Sequence, residues 1–281
     1  MTAATQSYSP GRTLPLRVEF ARQLRRRRTM VMFGVLLALP WVLVVAFLVG
    51  RSPSQAGSLR ISDLATQGGL NFAAFTLSVS ATLLMVVAVA LFCGDTVAGE
   101  ANWSSLRYLL AAPVPRARLL RQKLIVALAC SAASVIMVPV MALLAGTLAF
   151  GWNDIRLPGT GEGVDAATVL PRFAIVIGYV MISQLVVAAL AFLLSVSTDS
   201  PLGAVGGAVG LVIVSNIVQA VEALGAAREF LPTFWSTAWL DALAPELDWS
   251  GMIKGASLSV TYAVILVAVA FRRFRGKDVV S

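Results

Sequence analysis

Residues 124–151 read LIVALACSAASVIMVPVMALLAGTLAFG, 28 positions without Asp, Glu, Lys or Arg. A hydrocarbon core about 30 Å thick takes roughly 20 apolar helical residues to cross, so this run can span one. Working outward in both directions, uncharged runs recur near Met30–Gly50, Leu70–Gly94, Phe173–Thr198, Pro201–Val221 and Gly255–Phe271, which makes six. The first run follows a basic stretch, as a signal peptide would. Its 21 residues and the lack of a nearby small-x-small cleavage site read instead as an uncleaved anchor. The 281-residue chain is 58% hydrophobic and 13% charged, with a mean hydropathy of +0.84. Soluble domains carry about 25% charged residues, so a soluble globule, a disordered chain and a disulfide-stapled module are all excluded. The expected fold is all-α and polytopic, with six transmembrane helices.

The charges that remain sort by side. Lys and Arg number seven before the first run, then two, five, two, none, two and four after successive runs. One side of the membrane therefore carries 16 basic residues and the other six. Basic residues collect in cytoplasmic loops, which predicts cytoplasmic termini and a multi-pass protein of the cell inner (plasma) membrane. The net charge of +8 is explained in the same way, without nucleic acid. The chain reads as one unit over 1–281: a cytoplasmic tail and elbow over 1–29, a six-span bundle over 30–271 and a tail over 272–281.

Chemistry within the chain is scarce. There is no histidine, so Ser-His-Asp triads and most zinc sites are ruled out. Cys93 and Cys130 lack metal-ligand or redox spacing and read as packing residues. The six runs as drawn hold no Asp, Glu, Lys or Arg, which argues against a proton relay or ion-coupled transport. The one Gly-Lys pair, Gly276-Lys277, has Phe271 in place of the first glycine of a phosphate loop and Asp278 in place of its Ser/Thr. The chain is therefore expected not to be an enzyme and to hold no cofactor or metal of its own.

Two basic-side elements look suited to docking. In Thr13–Thr29, TLPLRVEFARQLRRRRT, Leu16, Phe20 and Leu24 recur at i, i+4, i+8 among six arginines. This is the pattern of an amphipathic helix lying in the membrane interface, and Arg25 to Arg28 also suit a positive-inside anchor. After the second run, Trp103, Leu106 and Leu110 share one face of a short helix that Asn102 could cap and that Pro113 and Pro115 would end. Such a helix could press on a soluble partner or simply be an interfacial loop helix.

These elements carry a family resemblance. Glu19 on an arginine-rich elbow, Glu100 just after the second span, the Leu-Leu-x-x-Pro-Val-x-Arg run Leu109–Arg116, and Lys123 entering the third span resemble the permease subunits of ABC-2 type transporters. Trp103-Ser104-Ser105 stands where that family commonly has Gly-Thr, and Gln122 replaces the glycine before Lys123. The resemblance implies a subunit that pairs with a second permease, as homo- or heterodimer, and docks ATP-binding cassette subunits, which would bind ATP and Mg. By position Glu19, Glu100, Trp103, Leu106, Leu110, Pro113 and Arg116 would form the ATPase-docking surface through a coupling helix. The cargo expected of the neutral path is a drug, a lipid or a hydrophobic peptide. A scaffold or assembly factor recruiting proteins or lipids through its basic loops is the alternative.

Within the spans, Gly203 with Gly207 and Gly206 with Gly210 form overlapping Gly-x-x-x-Gly pairs suited to helix packing, inside the subunit or at a dimer seam. Ser183, Gln184, Asn216 and Gln219 are the polar candidates for a translocation path, with interhelical hydrogen bonding as the competing role. The tryptophan-rich connection from Glu222 to Lys254 suits the opposite interface, and Phe230–Leu243 is similar to the family's external re-entrant hairpin.

Overall fold

A computed structural model describes residues 15–50, 64–102, 115–156, 163–244 and 247–276. Its helices follow the apolar runs closely. A short helix α1 (Leu16–Leu24) precedes α2 (Arg27–Val49); α3 (Gly69–Thr82) and α4 (Leu84–Asn102) follow, then α5 (Arg116–Phe150). α6 (Ala166–Ser183), α7 (Leu185–Ser197), α8 (Pro201–Gln219) and α9 (Ser250–Arg275) complete the bundle. Six helical stretches are long and apolar enough to cross a membrane, α6 and α7 counting as one. The α2 and α9 stretches are 17% buried and that of α4 is 78% buried. The protein therefore has a central α4, packed against α7, α8 and α5, with α2 and α9 at the periphery.

The helices outrun the apolar segments, so several of the charges that flank those segments are themselves helical. The 35 residues of α5 rise about 52 Å at 1.5 Å each, well beyond a core of about 30 Å. Its first two turns, Arg116–Lys123, and the end of α4, with Asp95 and Glu100, are helical extensions carrying charge. All of them project at one end. Arg116 Nη1 donates to the carbonyl of Arg275 at 3.4 Å, which puts the start of α5 beside the end of α9.

The other end is closed by backbone and side-chain hydrogen bonds. The Gly69 N–H donates to the Gly151 carbonyl at 2.9 Å, and Asn71 exchanges two hydrogen bonds with the backbone of Arg156. Arg156 belongs to a two-residue strand β1 (Ile155–Arg156), antiparallel to β2 (Gly163–Val164). The connection after α8 holds 3-10 turns over Glu222–Phe230, kinked at Gly225 (φ 52°, ψ −131°), and over Ala238–Leu243, so the segment expected as a hairpin, Phe230–Leu243, is a run of turns ending in the second of these. It is pinned to the bundle at three points. Arg172 donates to the Ala244 carbonyl, the Tyr179 hydroxyl to that of Trp235, and the Tyr262 hydroxyl to that of Phe230. Trp239 is buried beneath it. At the start of α9 the Ser250 N–H donates to Asp248, a bond that holds this exposed carboxyl below the usual carboxylate range.

One span is interrupted. At Leu83 the backbone leaves helical geometry (φ −131°, ψ −55°), dividing the second apolar run into α3 and α4. α6 and α7 run on as one helical stretch through Gln184, whose N–H donates to the Val180 carbonyl and whose carbonyl accepts from the Ala188 N–H. Gln184 Nε2 donates to the Ala81 carbonyl at 3.3 Å, tying this stretch to the interruption.

The expected packing glycines separate into two kinds. A Cβ on Gly207 would lie 3.0 Å from Leu194, and one on Gly203 would touch only its own turn, at Ser200 and Thr198. Gly206 and Gly210 face open space. A tight apolar seam lies elsewhere, between α3 and α5, where a Cβ on Gly146 would fall within 3.0 Å of the buried Phe72 side chain. Overpacking of this kind costs about 1–3 kcal/mol. Gly146→Ala is expected to lower the thermal unfolding temperature in detergent, whereas Gly178→Ala, with nothing within 4 Å, should leave it unchanged or raised.

Candidate functional site

The charges that the helix extensions carry inward converge on one buried cluster. Lys123 on α5 is 2% exposed, and its ammonium donates to Glu19 Oε1 of α1 at 2.9 Å and to Glu100 Oε1 of α4 at 2.5 Å. Arg26, between α1 and α2, donates to Asp95 Oδ2 at 2.8 Å and lies 3.5 Å from Glu100 Oε1. Arg28 reaches Asp95 Oδ1 at 3.1 Å, and Arg22 lies 3.5 Å from Glu100 and 3.6 Å from Glu19. Among the described residues, three carboxylates thus face four cations. Removing an ammonium from water costs several kcal/mol unless partners replace the lost hydration. Here two carboxylates do so.

The sequence produces this geometry through three local features. Asp95 and Glu100 are carried inward because α4 remains helical past Gly94 and is buried as far as Glu100. α1 turns its polar face to the bundle: Glu19 and Gln23 are buried, while Leu16, Val18, Phe20 and Leu24 remain exposed. The stripe expected of an interfacial helix is thus directed away from protein. Finally, the Ser195 hydroxyl oxygen accepts from the N–H groups of Val97 and Ala98, both at 3.0 Å, clamping α7 to α4 next to the cluster.

The cluster brackets the segment in which docking residues were expected. Glu100 lies two residues before position 102, where the described helix ends, and Lys123 lies in the second turn of α5. Trp103, Leu106, Leu110 and Pro113 fall outside the described residues. Arg116 opens α5 and is exposed. Glu19 and Glu100, expected on a docking surface, are instead 4% exposed. They are placed to hold helices together rather than to meet a partner directly. Asp95 escaped the sequence reading, in which Arg26 and Arg28 stood only as part of a positive-inside anchor. The signal was available in Asp95 itself, a carboxylate one residue beyond an apolar run and therefore in need of cations.

The polar path candidates lie farther along the bundle. Ser183, Gln184 and Asn216 line one cleft, together with Thr82 at the α3–α4 break and Thr233 of the 3-10 connection. Gln219 is not among the residues lining it, and accepts a 3.1 Å hydrogen bond from Thr233. Thr233 also meets Ser215 at 2.8 Å, so the connection is tied to α8. The Ser183 hydroxyl donates to the Val180 carbonyl of its own helix. Cys93 and Cys130 are buried free thiols within the packed helices.

With this geometry in place, the chain belongs to a family described as "Protein of unknown function (DUF2705)", whose profile matches residues 41–280. The match takes in Asp95, Glu100 and Lys123 and leaves out Glu19 with the rest of α1. No curated protein matches the chain.

Removing one partner of a buried ion pair typically costs about 3–5 kcal/mol, because the other charge is left unpaired. Lys123→Met should therefore strongly lower the thermal unfolding temperature of the purified protein. The combination Lys123→Met/Glu19→Gln/Glu100→Gln should recover much of that loss. A triple variant no more stable than Lys123→Met would contradict an electrostatic role for the cluster.

Proposed function

We propose that this protein is the membrane-spanning subunit of an ATP-binding cassette exporter, coupled to a separate cytoplasmic ATPase and paired with a second permease subunit. The observation that supports this reading best is the ion cluster gripping both flanks of segment 103–114 and tying them to α1 through Lys123, Glu100 and Glu19. A force applied to that segment reaches α4 and α5 together, and through Ser195 it reaches α7. Buried charge pairs are rigid connectors, since moving one partner strands the other. The motif-bearing residues Trp103, Leu106, Leu110 and Pro113 lie in the gripped segment.

In this reading the charged end is cytoplasmic, as the excess of Lys and Arg there favours, and both termini share that side. α1 lies in the interface with its Leu16, Phe20 and Leu24 stripe toward lipid. The connection between α8 and α9 covers the outer end of the path. Energy comes from ATP and Mg bound by the partner.

Co-expression with an ATPase encoded beside this gene tests the reading. A stable complex is expected, with ATP hydrolysis reduced at least severalfold by Leu106→Asp while the subunit's own stability is unchanged. A scaffold or assembly factor would give neither an ATP-dependent activity nor sensitivity to Leu106. For topology, a reporter fused after Ser281 should be active only in its cytoplasmic form, and the opposite result would invert the assignment.

A further inference from the structure

Four consecutive arginines, Arg25 to Arg28, form the corner between α1 and α2, and they divide by partner. Arg26 and Arg28 are held by Asp95, at 2.8 and 3.1 Å. Arg25 and Arg27 are exposed, and neither side chain has a hydrogen bond or ion pair among the described residues. They stand two residues apart, so their Cα atoms are within about 7 Å of each other. A guanidinium presents a planar fork of donors that matches the oxygens of a phosphate. Two such forks at one corner can therefore grip a single phosphate, whose charge would relieve their mutual repulsion.

Exposed apolar surface begins at the same point. Met30, Val31 and Val35 follow Arg27 at i+3, i+4 and i+8 on one face of α2, and they are 54%, 65% and 45% exposed. Arg25 closes α1 beside the stripe of Leu16, Phe20 and Leu24, which is also exposed. An anchor of the positive-inside kind needs only basic charge near a helix end. Here two guanidinium groups without carboxylate partners head an apolar helix face, a pattern with the layout of a phospholipid. A free phosphate would use the arginines and leave the apolar face idle.

We infer that the α1–α2 corner binds one anionic phospholipid, its phosphate between Arg25 and Arg27 and an acyl chain along Met30, Val31 and Val35. A zwitterionic lipid brings its own cation to a corner already crowded with positive charge. A head group of net negative charge is therefore preferred. The inference uses no part of the permease reading and holds whichever side of the membrane the corner faces.

The test uses the full chain, without any ATPase, in nanodiscs of equimolar phosphatidylcholine and phosphatidylglycerol, with the lipid retained on release read by native mass spectrometry. Each basic residue near an anionic lipid surface is worth about fivefold in affinity. One phosphatidylglycerol per chain is expected to be retained, in preference to phosphatidylcholine by about tenfold or more. Arg25→Gln/Arg27→Gln should abolish most of that preference. The control Arg272→Gln/Arg273→Gln removes the same charge from the exposed end of α9 and should change it by less than about twofold. None of these four side chains has a partner among the described residues, so both variants keep the ion cluster intact. Retention blind to the head group in the unmodified protein would overturn the inference. Equal losses in the two variants would overturn it too, leaving only diffuse surface charge. Glycerol phosphate, the head group without chains, should fail to displace the lipid even in excess; displacement would reveal an anion site that makes no use of α2 and would sink the lipid assignment.

Discussion

A lysine ammonium with almost no access to water sets the terms for one end of this molecule. Glu19 and Glu100 approach Lys123 from two other helices and replace its lost hydration, with Arg22, Arg26 and Arg28 balancing the carboxylates in turn. That requirement fixes where α1 lies, how far α4 stays helical and where α5 begins. Buried ion clusters give little net stability over apolar packing, but they penalise partial disassembly heavily. A bundle built this way has a base that moves as one piece or not at all.

Higher in the bundle the constraint is backbone hydrogen bonding in a medium without water. Most of the helical backbone satisfies itself, and near the break at Leu83 the Gln184 side chain serves the Ala81 carbonyl. The connection after α8 is held down by tyrosine hydroxyls and Arg172 donating to its carbonyls. The charged base and the middle of the bundle differ in kind. Charges gather where helices leave the apolar layer, whereas the break at Leu83 is served by an uncharged side chain.

Much of the fold was legible in the sequence, since apolar run length is a direct reading of membrane-crossing capacity. The third, fifth and sixth runs match α5, α8 and α9 to within a few residues, apart from the charged extensions. Those extensions were missed because a helix ends where its backbone bonding ends, not where hydropathy falls. The candidate site was legible only in part. Glu19, Glu100 and Lys123 were singled out, but hydropathy and spacing place charged residues at interfaces and cannot show that three of them, separated by up to 104 positions, touch.

Composition and run length by themselves determined that this chain has six helices long and apolar enough to cross a membrane, because hydrophobic burial and basic-residue placement are local and additive along a chain. Only the tertiary structure decided that α1 turns its acidic face inward, that Gly207 packs while Gly206 and Gly210 stay open, and that Gln184 meets the helix break beside Ala81. Each of these depends on which distant side chain supplies a charge, a volume or a hydrogen bond. Such long-range pairing leaves no periodic trace in the sequence.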